Sequence, residues 1–279
     1  MTARTARPSR VLLNAAAVVV IVCSVFPVYW MVNTSLLPAS ATRTSTPHLW
    51  PDQFTLRNYV TAFADGGFTS ALGVSVIVTL LALVTSLVFA FLAAVAISRF
   101  RFRSRKSFIV AILVVQMIPA EALIISTFRV LDGWALVNTI VGLTFVYIAL
   151  VLPFTIWTLR GFVKGVPADL EEAAMIDGCS RTGAFWRITF PLLAPGLVST
   201  GVFAFIQAWN EFVFALVIMT RPESQTLPIW LRSFVQVTKA TDWSVVMAAS
   251  TLMAIPVIIF FLLVQHRMTS GLMTGAVKG

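Results

Sequence analysis

The side chains of this chain that could do chemistry are few, and the best grouped of them suit recognition rather than bond breaking. Gln207, Trp209, Asn210 and Glu211 stand within five consecutive residues. On a helix Gln207, Asn210 and Glu211 share one face at i, i+3 and i+4. A carboxylate, two amides and an indole suit a ligand rich in hydroxyls, with the indole against its apolar face. The same groups could instead join their helix to a neighbour by hydrogen bonds inside a bundle, and both readings stay open. Glu121 follows Pro119 closely and reads as support for a kink or a gate rather than as a ligand. His48 and His266 are isolated, and Cys23 and Cys179 are far apart in the sequence. No nucleophile, base and orienting group can be assembled from these residues, nor any metal-ligand set. The expectation is therefore no catalytic residue, no metal and no cofactor, and a membrane enzyme is disfavoured.

A second group is Glu171, Glu172, Ala173, Ala174, Asp177 and Gly178, followed by Ile188 and Pro191. It forms a mostly polar island between long apolar runs. Asp169 with Glu172 has the form of a capping box, and acidic residues suit the positive end of a helix. Ala173 and Ala174 are strong helix formers, and Gly178 can end the helix with a positive φ. Ser180 is expected to cap a second short helix that carries Phe185, Trp186 and Ile188 until Pro191 stops it. Leu170, Ala173 and Ala174 fall on one face, where small side chains let a partner backbone come close. The reading is a docking helix, with an amphipathic interfacial helix as its plainer rival.

The elements that hold these groups are written in the composition. Apolar residues make up 58% of the 279 and charged residues 11%, against roughly 25% charged in soluble domains. Such a chain cannot cover itself with polar groups and belongs in a membrane. Six apolar stretches are visible, 11–32, 71–97, 108–128, 138–159, 196–220 and 245–265. Each approaches or exceeds the roughly 20 residues that span hydrocarbon as a helix. They run without the alternation of a barrel strand. The first is too long for a secretory signal core and reads as a retained helix. Six crossings put both ends on one side, where fourteen of the twenty Lys and Arg also fall, among them Arg10, Arg99, Arg101, Arg103, Arg105, Lys106, Arg160, Lys164, Arg181 and Arg187. The positive side is cytoplasmic. The net charge of +9 thus reflects topology and contact with anionic lipid, and nucleic acid is not an expected partner. Residues 52–59 are expected to form a short helix on the outer membrane surface. No strong internal repeat supports a transporter of inverted halves. No Gly-x-x-x-x-Gly-Lys-[Ser/Thr] loop is present, so any ATPase is another chain.

The run Glu171 to Gly178, with Ile188 and Pro191, resembles the Glu-Ala-Ala loop of ABC importer permeases. Gln207 to Phe212, Thr226-Leu227-Pro228 and the tail Gly271 to Gly279 are similar to stretches of the maltose-type carbohydrate permeases, the tail to that of their second permease subunit. Phe190 departs from the Leu usual before the proline. The resemblance implies a coupling helix around Glu172 to Gly178 that sits in a cleft of a cytoplasmic ATPase. It implies a homologous second permease, two ATPase subunits and an external sugar-binding protein as partners. The fold expected is all-α and polytopic, with six transmembrane helices and a cytoplasmic coupling loop. A cytoplasmic N-terminus over 1–10 precedes a permease domain over 11–265, with the loop at 161–195, and a cytoplasmic tail over 266–279. The function implied is ATP-driven import of a di- or oligosaccharide. Alternatives are a related permease for glycerol phosphate or polyamine, and an ion-coupled transporter, for which Glu121 and Glu211 are the only candidate path residues.

Overall fold

The computed structural model describes residues 10–44, 46–64, 67–235 and 240–273. Arg4, Arg7, Lys239, Lys278 and most of the tail motif lie outside them. All regular structure among the described residues is helical. Five helical segments are long and apolar enough to cross a membrane: α1 (Arg10–Ser35), α3 (Phe68–Arg99), α6 (Ile140–Gly165), the run Arg181–Trp209, and Trp243–His266 within α12 (Trp243–Met273).

The expected third crossing is not a straight helix. α4 (Arg105–Met117) is followed by a 3-10 turn (Ala120–Leu123) and α5 (Ile124–Gly133), and the two arms meet at 87°. Pro119 explains the break. A proline disfavours helical backbone in the residue before it, and Ile118 is extended at φ −79° and ψ 123°. Among the described residues the count is therefore five spans, or six if the bent pair is one.

Two further expectations are corrected. Pro191 does not stop a helix. α8 (Arg181–Ala184), a π-helical turn (Phe185–Thr189) and α9 (Phe190–Trp209) run on as one span. Pro191 falls in the first turn of α9, where a missing N–H costs little, and the wider π turn just before it takes up the change in hydrogen bonding. The short helix expected at 52–59 starts five residues later, as α2 (Arg57–Ala64), where the Arg57 amide donates to Thr55 Oγ1 at 3.1 Å.

The chain forms two compact units, 1–66 with 231–254, and 67–230 with 255–279. In the first, the Asn58 amide donates to the carbonyls of Ser35 and Leu37 at 2.7 and 2.8 Å, which ties α2 to the end of α1. In the second, α3, α6 and α9 pack side by side. Ala90 and Ala94 on α3 meet Leu159 and Val163 on α6 and Leu193 on α9. Small residues at such contacts let helix backbones approach, the usual solution where lipid offers no hydrophobic drive. Gly196 is one of them: a Cβ there would lie 2.4 Å from the Phe162 ring.

Candidate functional site

Both groups of candidate residues fall in the second unit, one on the loop after α6 and one at the end of α9. The loop helix is α7 (Asp169–Ile176). Val166, the residue before Pro167, is extended, which ends α6 as a pre-proline residue should. Asp169 is not the cap. The N-cap is Ala168, without a side-chain hydrogen bond, and Asp169 is already helical. The carboxylates of Asp169, Glu171 and Glu172 thus occupy the first turn, where the helix dipole still favours them. At the other end the Cys179 amide donates to Ala174 O at 3.0 Å and the Gly178 amide to Met175 O at 3.1 Å. With Gly178 at φ +91° this is a Schellman motif. Ser180 caps α8, its side chain accepting from the Gly183 amide at 3.1 Å.

The loop has two faces. Ala174 is buried, and Glu171 is half-buried with its Oε1 accepting from Arg99 Nη2 at 3.1 Å and from Thr189 Oγ1 at 2.7 Å. Glu172, Ala173 and Asp177 are exposed, and Ile176 is 86% exposed. The two adjacent alanines are therefore split between the faces, because neighbours on a helix point about 100° apart. Ile188 is half-buried in the π turn and Pro191 is exposed. The tether through Glu171 was not legible in sequence, since Arg99 and Thr189 lie far from it along the chain.

A cavity of about 950 Å³ lies in the angle of the 87° break, between the arms α4 and α5 and against α6 and α9. Its polar lining is Gln116, Glu121, Ser126, Thr127 and Gln207, and its aromatic lining includes Phe145, Phe154 and Phe203. The rings of Phe154 and Phe203 are 5.0 Å apart. Amides, hydroxyls and one carboxylate beside aromatic faces can hydrogen-bond a polyhydroxyl ligand and pack against its C–H surface. Glu121 both follows the break and faces the cavity.

The expected face of Gln207, Asn210 and Glu211 does not form, because α9 ends at Trp209. Gln207 alone of the four lines the cavity. Trp209 is buried with its ring stacked on Phe205 at 5.6 Å, and the Asn210 amide turns back to Ile206 O at 3.0 Å. Glu211 caps the next short helix, α10 (Val213–Ile218): Oε1 accepts from the Phe214 amide at 2.8 Å and Oε2 from the Ala215 amide at 3.0 Å. Tyr147 on α6 donates to the Glu211 carbonyl at 3.3 Å. Of the cavity residues the sequence reading passed over, Phe203 had a signal, standing four before Gln207 on one helix. Gln116, Ser126 and Thr127 had none, because only the break brings them to the cavity.

Residues 86–272 match the binding-protein-dependent transport system inner membrane components. The chain belongs to this family. The permease is 46% identical over 270 residues to the diacetylchitobiose uptake system permease protein DasC of Streptomyces coelicolor, covering 97% of this chain and 98% of that one. It is 37% identical over 272 residues to the trehalose/maltose transport system permease protein MalG of Thermococcus litoralis, covering 97% of each. A solved bacterial ABC transporter involved in the import of the acidic polysaccharide alginate shares its fold, with a TM-score of 0.77 at 22% identity over 95% of this chain and 98% of that one. The permease is thus an ABC importer subunit of the carbohydrate-uptake, maltose- and trehalose-type branch. It is a multi-pass membrane protein and no enzyme, since ATP hydrolysis in this family belongs to separate subunits.

Proposed function

We propose that this permease is one of two membrane subunits of an importer that receives a di- or oligosaccharide from an external binding protein, with α7 as its coupling helix. The observation that carries this is the two-faced loop. Glu171 and Ala174 hold one face of α7 against its own subunit, while Glu172, Ala173, Ile176 and Asp177 stand clear on the other. A short helix tethered from behind and bare in front is built to be pushed by a partner. Two ATPase subunits are the partners proposed, on the cytoplasmic side to which the Lys and Arg distribution assigns this loop and both termini. A homologous permease would cover the apolar surface of α1, most of whose residues this chain leaves exposed, together with lipid.

The cavity supports a sugar as cargo. Its volume of about 950 Å³ is at the upper end of the roughly 300–1,000 Å³ usual for small-molecule sites, room for more than one pyranose ring. Among the described residues its lining carries Glu121 but no Lys or Arg, which disfavours a phosphorylated cargo, whose charge would go unpaired. The relatives named for diacetylchitobiose and for trehalose and maltose point the same way.

Glu172→Lys or Gly178→Asp is expected to abolish uptake of radiolabelled diacetylchitobiose, maltose or trehalose while the protein stays in the membrane. Normal uptake in either variant would show that α7 is not the coupling helix. A protonophore at held ATP is expected to leave uptake unchanged, and a collapse of uptake would instead indicate ion coupling.

A further inference from the structure

One oxygen of Glu171 holds three segments together. Oε1 accepts from Arg99 Nη2 at 3.1 Å and from Thr189 Oγ1 at 2.7 Å. The same Arg99 nitrogen donates to the Val166 carbonyl, in the link between α6 and α7, at 3.0 Å. Arg99 is the last residue of α3, and Thr189 is the last residue of the π turn that leads into α9. We propose that Arg99, Glu171 and Thr189 form the rigid joint through which a push on α7 reaches α3 and α9. Arg99 is then a positioning residue for transport. This deepens the coupling reading of α7 and rests on it.

The covalent links of α7 make poor levers. The chain enters it through Gly165 to Ala168 and leaves it through Gly178, which sits at φ +91° with open space around it. A force on α7 could be lost in rotation about these links. The Glu171 oxygen prevents that, because it is bonded at once to a residue of each neighbouring segment. The Arg99 and Glu171 side chains are each only 17% exposed, and Thr189 is fully buried. Water therefore cannot readily replace a lost partner, and removing one member strands the other. The joint also adjoins the packed core of the second unit. Ile97, two residues before Arg99, belongs with Ala90 and Ala94 to the core shared by α3, α6 and α9. Closely packed helices move as bodies rather than deform, so a displacement delivered at Arg99 is carried along α3.

The chemistry of the joint predicts which replacements it tolerates. Arg99 makes both contacts through one nitrogen, while its Nε is buried without a hydrogen-bond partner among the described residues. A lysine ammonium, a single donor centre with three protons, can serve the same two acceptors. Methionine cannot, and valine at 189 removes the hydroxyl with little change of shape.

The test uses the complete transporter in proteoliposomes, with radiolabelled diacetylchitobiose, maltose and trehalose as probes, and reads uptake and ATP hydrolysis in the same vesicles. Arg99→Met and Thr189→Val are expected to assemble and to hydrolyse ATP within about twofold of the unaltered complex, while uptake per ATP falls roughly fivefold or more. Arg99→Lys is expected to keep most of the coupling. Unchanged uptake per ATP in both variants, or a parallel fall of uptake and hydrolysis, would overturn the joint and leave these residues a role in folding alone. Should Arg99→Met not assemble, Thr189→Val decides: normal coupling in that variant overturns the proposal. Gly178→Asp separates the two levels. If it transports normally, the coupling reading itself fails. If it is inactive while Thr189→Val and Arg99→Met stay coupled, only the joint fails.

Discussion

Replacing Glu211 by alanine tests whether its carboxylate caps a helix or reads the cargo. The change removes both acceptors at the start of α10, Oε1 at 2.8 Å from the Phe214 amide and Oε2 at 3.0 Å from the Ala215 amide. Loss of a capping side chain costs about 0.5–2 kcal/mol, and a hydrogen bond to a charged group contributes about 1.5–3 kcal/mol. Glu211 is half-buried, so water replaces part of what is lost, and the two bonds together amount to about 2–4 kcal/mol. At roughly 2–4 °C per kcal/mol for a chain of this size, the melting temperature should fall by about 4–16 °C. Glu211→Gln keeps one acceptor and sets an NH2 group against the second amide donor, and should lose about half as much. The assay is thermal unfolding of the purified complex followed by tryptophan fluorescence, beside uptake kinetics of the same variants. The capping role predicts falling stability in the order Glu, Gln, Ala with an unchanged apparent KM for sugar. An unchanged melting temperature with a raised KM would refute it and give the carboxylate back to the cargo.

Gly178→Ala tests backbone strain alone, since a Cβ there meets nothing within 4 Å while φ stands at +91°; about 1–2 kcal/mol of local strain should speed proteolytic cleavage of the loop, with uptake reduced but not abolished. Gly196→Ala would place a Cβ 2.4 Å from the Phe162 ring and should cost about 1–3 kcal/mol in thermal stability; adding Phe162→Ala should recover part of the loss in a double-mutant cycle. Gln207→Leu, in the cavity lining, should raise the apparent KM for sugar with little change in melting temperature, the opposite pattern to Glu211→Ala; unchanged uptake kinetics would remove Gln207 from the path.

Much of the architecture was legible because lipid imposes a one-dimensional rule. A segment either carries enough consecutive apolar residues to satisfy its own backbone as a helix or it does not, and the runs 11–32, 71–97, 138–159 and 245–265 fall on single helices for that reason, while 108–128 and 196–220 are each interrupted. Local backbone chemistry was legible too. Ser180 caps α8 and Gly178 takes a positive φ, since both depend on residues within a few positions. The same rules misplaced Asp169 and Pro191. A capping pattern names a residue that could accept a bond, and the chain used Ala168 and kept the carboxylates inside the first turn. A proline ends a helix only where its missing N–H is needed, and a π turn removed that need.

Sequence by itself thus determined that this is a helical membrane permease with a helix-forming polar loop, and its motifs identified the family. It did so because hydropathy, capping and motif spacing are read along the chain. Only the tertiary structure decided which residues face which neighbours. The break at Ile118 and Pro119 brought Glu121 to the cavity that Gln207 on α9 also lines, the end of α9 at Trp209 gave Glu211 to a helix cap, and the meeting of Arg99, Glu171 and Thr189 tied the loop to the bundle. Those pairings depend on where helices end and how closely they pack, properties of distance in space that spacing along the sequence does not carry.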